Sequence, residues 1–202
     1  MISAAVRIID ATSEPVSLSE AQAWLRVDSQ DDATEITTLI TTARQIVEDF
    51  TGRALLTQTW RLVASEWPEG RFAGVENVVQ LPRSPLASVT SVKYDPENGG
   101  VQATFASSNY HVVTALTPGA IVLADGASWP DLAVRPDAVE VNFTAGEASA
   151  ATVPAGLRHA VLLVLAHLYE LRSSVNVGNI VNELPFSLRH LLESHRVEGW
   201  CG

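Results

Sequence analysis

The sequence predicts an α+β fold: a helical part made of two N-terminal and two C-terminal helices, with an antiparallel β insertion in the middle. Three observations carry this. Apolar residues recur every three or four positions through 36–50, and the stretch 157–171 is apolar almost all round a helix. Between those stretches the period falls to two, most clearly at Trp60–Ala64 and Val139–Phe143. Each change of period is marked by a punctuating residue, Gly52 at the first and Pro154 at the second. The boundaries read as 1–55 and 144–202 for the helical part and 56–143 for the β-rich insertion.

The elements follow in order. Ser17-Leu-Ser-Glu20 is a capping box, with serine accepting from the third helical N–H and glutamate reaching back to the cap. It opens a helix to about Val27, with Ala21, Trp24 and Leu25 on one side. Asp32 and Glu35 repeat the pattern for a second helix, whose apolar side is Ile36, Leu39, Ile40, Ala43, Ile46, Val47 and Phe50. Gly52 can take the left-handed conformation that ends a helix without a Cβ clash. In the strand that follows, Trp60, Leu62 and Ala64 share one face and Arg61 lies opposite.

Leu81-Pro-Arg-Ser-Pro85 reads as a linker or sheet edge, because proline cannot donate to a ladder. Val89–Tyr94 and Val101–Phe105 flank Asp95–Gly100 as a hairpin. Thr117-Pro-Gly119 reads as a type II turn before Ile121–Leu123. With Val139, Val141 and Phe143 alternating against Glu140 and Asn142, the insertion holds five or six short strands, a small sheet or barrel. Pro154 then suits the first turn of a helix running to about Ser173. That helix is apolar almost all round, so it requires cover on most sides. Pro185 starts a last short helix with Leu188, Leu191 and Leu192 on one face.

Bulk composition limits the partners. Lys and Arg number 13 against 23 Asp and Glu, a net charge of −10. That sign disfavours phosphate contacts to nucleic acid and attraction to an anionic membrane surface. From Pro154 onward four arginines balance four glutamates, so the whole negative excess lies in the first 153 residues. The single cysteine, Cys201, forms no internal disulfide. The start MISAAVRIIDATSEP lacks the basic and apolar blocks of a signal peptide, and the longest apolar run, Ala160–Ala166, is too short to span a membrane. A soluble protein of a reducing compartment is expected.

No residue set points to bond-making chemistry. His159 and His167 share a helix face but lie two turns apart, and His190 and His195 are five apart, so neither pair suits one metal ion. The acidic run Asp28, Asp31, Asp32, Glu35 lacks the glycine and terminal glutamate of a calcium loop. Gly126-Ala-Ser-Trp-Pro130 lacks the second glycine of a nucleophile elbow, and Gly99-Gly100 precedes no phosphate-loop lysine. Cys201 has no scaffold to lower its pKa. The expected catalytic, cofactor and metal residues are therefore none. Trp200, a large apolar group among the last three residues, either packs on its own domain or is held by a partner.

In order along 16–197, "VSLSEAQAWLRVD", "LITTARQIVEDFTGRALLTQTWRL", "LPRSPLASVTSVKY", "ASWPDL", "VEVNFTAG", "VPAGLRHAVLLVLAHLYELR" and "ELPFSLRHLLESHRV" resemble the phage head–tail connector family. The group is the gp6-like and phiE125-type adaptors, of which gene transfer agents carry similar proteins. The resemblance implies a structural adaptor with no catalytic motif. Its helical part would build a homo-oligomeric ring, of twelve subunits, beneath the portal protein of a virion or phage-like particle. The ring would join the portal to the stopper or tail connector protein. DNA would pass through its channel without specific binding, and no membrane would be involved. The subunit would be made in the host bacterial cytoplasm and sit at the capsid–tail joint. Within that reading, Leu184, Phe186, Leu188, Leu192, Arg196 and Trp200 are the expected portal contacts, and a chain lacking 184–202 is expected still to fold. The alternative is a non-catalytic ligand- or protein-binding module whose sheet grips a peptide or sugar. An enzyme would require a cleft with two titratable groups of opposed pKa shifts.

Overall fold

Helix caps and strand alternation organise the chain in the computed structural model, which describes residues 3–27, 31–68, 70–72, 75–171 and 186–197. The described residues within 12–56 and 147–196 form one unit, and those within 3–11 and 57–146, with Val197, form the other.

The first unit is helical, with α1 (Leu18–Leu25), α2 (Ala33–Thr51), α3 (Ala155–Leu171) and α4 (Phe186–Glu193). The capping box at α1 forms as expected: Ser17 Oγ accepts from Glu20 N at 3.2 Å, and Glu20 Oε2 accepts from Ser17 N at 2.8 Å. Arg26, at φ 56°, ends α1 in the left-handed region, and Gly52, at φ 69°, ends α2 the same way. The second expected cap does not form. Asp32 stands at the N-cap position of α2 but makes no side-chain cap bond. Its Oδ2 instead accepts from the Tyr169 hydroxyl of α3 at 2.8 Å, a partner that no local pattern announces.

α2 and α3 pack on each other, and α1 and α4 each touch both. Ile36, Ile40, Ala43 and Val47 of α2 meet Leu157, Val161, Val164 and Leu165 of α3 in the buried core, joined by Leu188 and Leu192 of α4. On the flank of this apolar stripe lies a buried ion network. Arg44, 1% exposed, donates through Nε to Glu14 Oε2 at 2.8 Å and through Nη1 to Glu48 Oε2 at 2.9 Å. Glu48 Oε1 also accepts from Leu55 N at 2.9 Å, and Glu14 Oε1 accepts from Thr41 Oγ1 at 2.8 Å. The guanidinium thus ties the segment before α1, the body of α2 and the chain just beyond its end.

The second unit is a β unit of β1 (Ser3–Ile9), β2 (Gln58–Ala64), β3 (Gly70–Phe72), β4 (Val75–Gln80), β5 (Leu86–Tyr94), β6 (Ala103–Thr104), β7 (Tyr110–Val113), β8 (Ala120–Leu123) and β9 (Val139–Ala145). They make two antiparallel sheets, ordered β1-β2-β9-β5-β6 and β3-β4-β8-β7. β9 is the central strand of the first sheet. It pairs Trp60 with Phe143 and Leu62 with Val141 on one side, and Val92 with Val141 on the other. β2 and β9 alternate buried with half-buried residues along their whole length, as their period of two requires.

Among the described residues the insertion holds eight strands, β2 to β9, more than the five or six expected. The second sheet uses strands of three to six residues, too short for alternation to register as a pattern. β1 was also unforeseen: residues 3–9 pair antiparallel with β2 and belong to the β unit, although the sequence reading put them with the helical part. Nor is 117–119 a type II turn, since Gly119 lacks the positive φ that such a turn needs. Space explains this glycine, because a Cβ there would sit 2.3 Å from Leu86 Cβ.

Aromatic rings form a cluster within the unit. Trp67 stacks on Trp129 at 4.4 Å, Phe105 stacks on Tyr110 at 5.9 Å, and Trp67 Nε1 donates to Pro130 O at 2.9 Å. At the first sheet, Trp60 lies under the guanidinium of Arg83 at 4.6 Å and that of Arg7 at 5.7 Å.

Two outcomes are expected. Arg44→Met strands two carboxylates and should cost about 3–5 kcal/mol, read as a lower urea midpoint by circular dichroism; a loss under about 1 kcal/mol would remove the network from its structural role. The second concerns pH. The Ser17 backbone N–H, the Ser17 hydroxyl and Arg158 hold the Glu20 carboxyl below the usual glutamate range. Its stabilising contribution is therefore complete above the ordinary glutamate pKa and disappears as the pH falls through the lowered one. Glu20→Gln should flatten the decline of the urea midpoint between about pH 5 and pH 3; parallel profiles for the two proteins would contradict this.

Candidate interaction surfaces

Among the described residues, no group of three or more His, Cys, Asp or Glu could hold a metal ion, and no helix is long and apolar enough to cross a membrane. Titration shifts follow from structure alone. Burial raises the Tyr110 hydroxyl, and hydrogen bonding to Arg135 lowers the Asp137 carboxyl.

Of the six residues expected at a portal contact, Leu184 and Trp200 lie outside the described residues, as does the side chain of Phe186 at the start of α4. Leu188 and Leu192 are buried against their own helical unit at 2% and 0% exposure. Arg196 is exposed just past the helix. The outer side of α4 carries Arg189, His190 and Glu193, with Arg189 Nε 3.1 Å from Glu193 Oε1. The helix end is fastened as well. Arg53 Nε donates to His195 O at 2.7 Å, and a Cβ on Gly156 of α3 would sit 2.7 Å from His195 Nε2. Removing 184–202 would therefore uncover the core of α2 and α3, which revises the expectation that the shortened chain folds. Spacing shows that α4 is amphipathic, but only packing shows that the apolar side serves the chain's own core.

Among the described residues, α3 buries one face fully and the opposite one in part. Leu157, Ala160, Val161, Val164 and Leu165 are buried, whereas Leu162, Leu163 and Ala166 on the opposite side are half-buried, with His159 exposed one turn before Leu163. Trp24 of α1 stands beside this stripe at 42% exposure, edge-on to the His159 ring at 5.4 Å. Arg158 fixes the base of the patch, donating to Pro15 O at 3.0 Å and to Glu20 Oε1 of the capping box. A half-covered apolar stripe with a tryptophan at its margin has the composition of a protein–protein contact. In the β unit, Val6, Ile8 and Ile9 of the end strand β1 are likewise about half exposed.

No known family model matches this sequence, and no curated protein is significantly similar to it. Solved structures are. The chain is similar over its whole length to a chain from the neck of an empty gene transfer agent particle, computed with C6 symmetry. The identity is 26%, the TM-score 0.74, and 98% of that chain is covered. A chain from the neck of a native particle of that kind, computed with C12 symmetry, is similar at 26% identity and a TM-score of 0.71, with 100% of this chain and 98% of that one covered. A chain from the virion of a native gene transfer agent particle shares the fold at 24% identity and a TM-score of 0.72, with 98% and 97% covered.

Proposed function

We propose that this protein is a structural neck component of a phage-like particle of the gene transfer agent kind. In this role it is an adaptor subunit that joins the portal to the stopper or tail connector. The observation that carries the reading is end-to-end likeness, at 26% identity and a TM-score of 0.74, to a chain of such a neck. The C6 and C12 symmetries of those necks favour a ring, and we take twelve as the number of copies. In the ring the helical part supplies the contacts between copies. The half-buried stripe of Leu162, Leu163 and Ala166, with Trp24 beside it, suits burial against a neighbour. An acidic body suits a conduit, since like charge keeps DNA sliding rather than sticking.

The portal contact in this reading comes from the C-terminal end. Phe186, Arg196, Leu184 and Trp200 reach the portal, while Leu188 and Leu192 hold α4 in place from within. Trp200→Ala, or a chain ending at Val197, should fold normally and dock poorly on portal-bearing capsids. Attachment at the parental level by both variants, measured by sedimentation of capsids with bound protein, would retire the tail as anchor. The ring itself is tested by electron microscopy of purified particles, where this chain should occupy a ring between capsid vertex and tail. Copies found elsewhere in the particle, or absent from it, would refute the reading.

A further inference from the structure

We propose that the cavity beside Val134 in the β unit is a docking site for a protein segment that presents an apolar side chain between Lys or Arg residues. The cavity holds about 420 Å³ and is open to solvent; its lining is mainly apolar, with Leu132, Ala133, Val134 and Pro136 beside Ser65, Glu66 and Arg135. Val134 is fully exposed, and Val101, on the neighbouring loop, is 91% exposed.

Bare apolar side chains are ordinary on loose loops, but this loop is tied on every side. Arg135 donates to Asp137 Oδ1 at 2.6 Å and to Asp137 Oδ2 at 2.8 Å, and its Nη1 lies 3.2 Å from Asp95 Oδ2. Ala133 N donates to Asp95 O at 2.9 Å, Asp95 N to Ala138 O at 2.8 Å, and Pro96 bridges to Leu132. At its start the loop is held by the Trp67 bond to Pro130 and the Trp67–Trp129 stack. A loop held this firmly loses little freedom on binding, which is what a docking surface needs.

Charge identifies the occupant. The cavity lining carries Glu66 and Arg135, and the two loops beside it add Asp95, Glu97, Asp131 and Asp137 with no further cation. Arg135 is committed to Asp95 and Asp137. Glu66, Glu97 and Asp131 make no ion pair among the described residues and face solvent. Phosphates are repelled here, whereas Lys and Arg are attracted. An apolar side chain entering the cavity next to Val134 gains burial while flanking cations meet the three carboxylates. That the partner is a neighbouring component of the particle rests on the neck reading; the chemistry of the site does not.

The test uses the purified full chain and two short capped peptides, one with leucine flanked by arginines and its counterpart with glutamates in their place. The basic peptide should shift the Leu132, Val134 and Val101 amide signals and the Trp67 and Trp129 indole signals in NMR, saturably, and the acidic one should not. Glu66→Gln combined with Asp131→Asn should weaken binding about threefold or more, and added salt should act in the same direction. Val134→Ser, at a side chain with no packing to lose, should abolish the shifts and leave the remaining spectrum unchanged. Unmoved signals, equal binding of both peptides, or shifts that survive Val134→Ser would overturn the site. In particles, a photo-cross-linker at position 134 should join a Lys/Arg-rich segment of another component. A cross-link to DNA or to a second copy would overturn the partner. Absence of the chain from particles would refute the neck reading alone, with the titration still deciding the site.

Discussion

A guanidinium buried between two carboxylates constrains the helical unit more than any single apolar contact. A charge at 1% exposure is tolerable only with partners in place. Arg44 therefore dictates where Glu14 and Glu48 lie, and Glu48 in turn captures the backbone at Leu55. The segment that precedes α1 and the segment that leaves α2 are thus held to the same turn of helix. With α2 bracketed in this way, α3 has a defined surface to pack on, and α1 and α4 close around the pair. Which side of α3 is left half-covered is a consequence of this arrangement.

The β unit solves a different problem. β9 comes late in the chain yet stands at the centre of the five-stranded sheet, so β2 and β5 find their register only when β9 arrives between them. Alternation along β2 and β9 protects that register, since a slip of one residue would turn Trp60, Leu62, Val141 and Phe143 to the wrong face. The short strands of the second sheet return the chain at one end through loops that the aromatic cluster and Arg135 hold fast.

These two solutions leave different surfaces. The helical unit offers a low-charge apolar stripe edged by an indole. The β unit offers an acidic pair of pinned loops around an apolar cavity. On the proposed reading, both surfaces belong to an assembly part that works through shape and complementary charge. On that reading, like copies meet through the first surface and an unlike, basic partner meets the second. Separating the two by charge keeps one class of contact from substituting for the other.

How much of this was legible depends on how far apart the cooperating residues are. The capping box at Ser17–Glu20, the αL glycine at 52, the start of α3 after Pro154, the hairpin at 95–100 and the alternation of β2 and β9 were all readable, because each is an agreement among residues a few positions apart. Tertiary structure decided the rest. It gave Asp32 to a tyrosine 137 residues away rather than to its own helix cap, and it paired residues 3–9 with a strand that begins at Gln58. It buried Arg44 and Glu48 where the apolar period is silent, turned the leucines of α4 inward, and made Gly119 a matter of room for Leu86. Local sequence determines which backbone conformations are cheap. Which side chains share a core, which carboxylate meets which cation and which apolar face stays open follow from long-range packing, which no short window of residues contains.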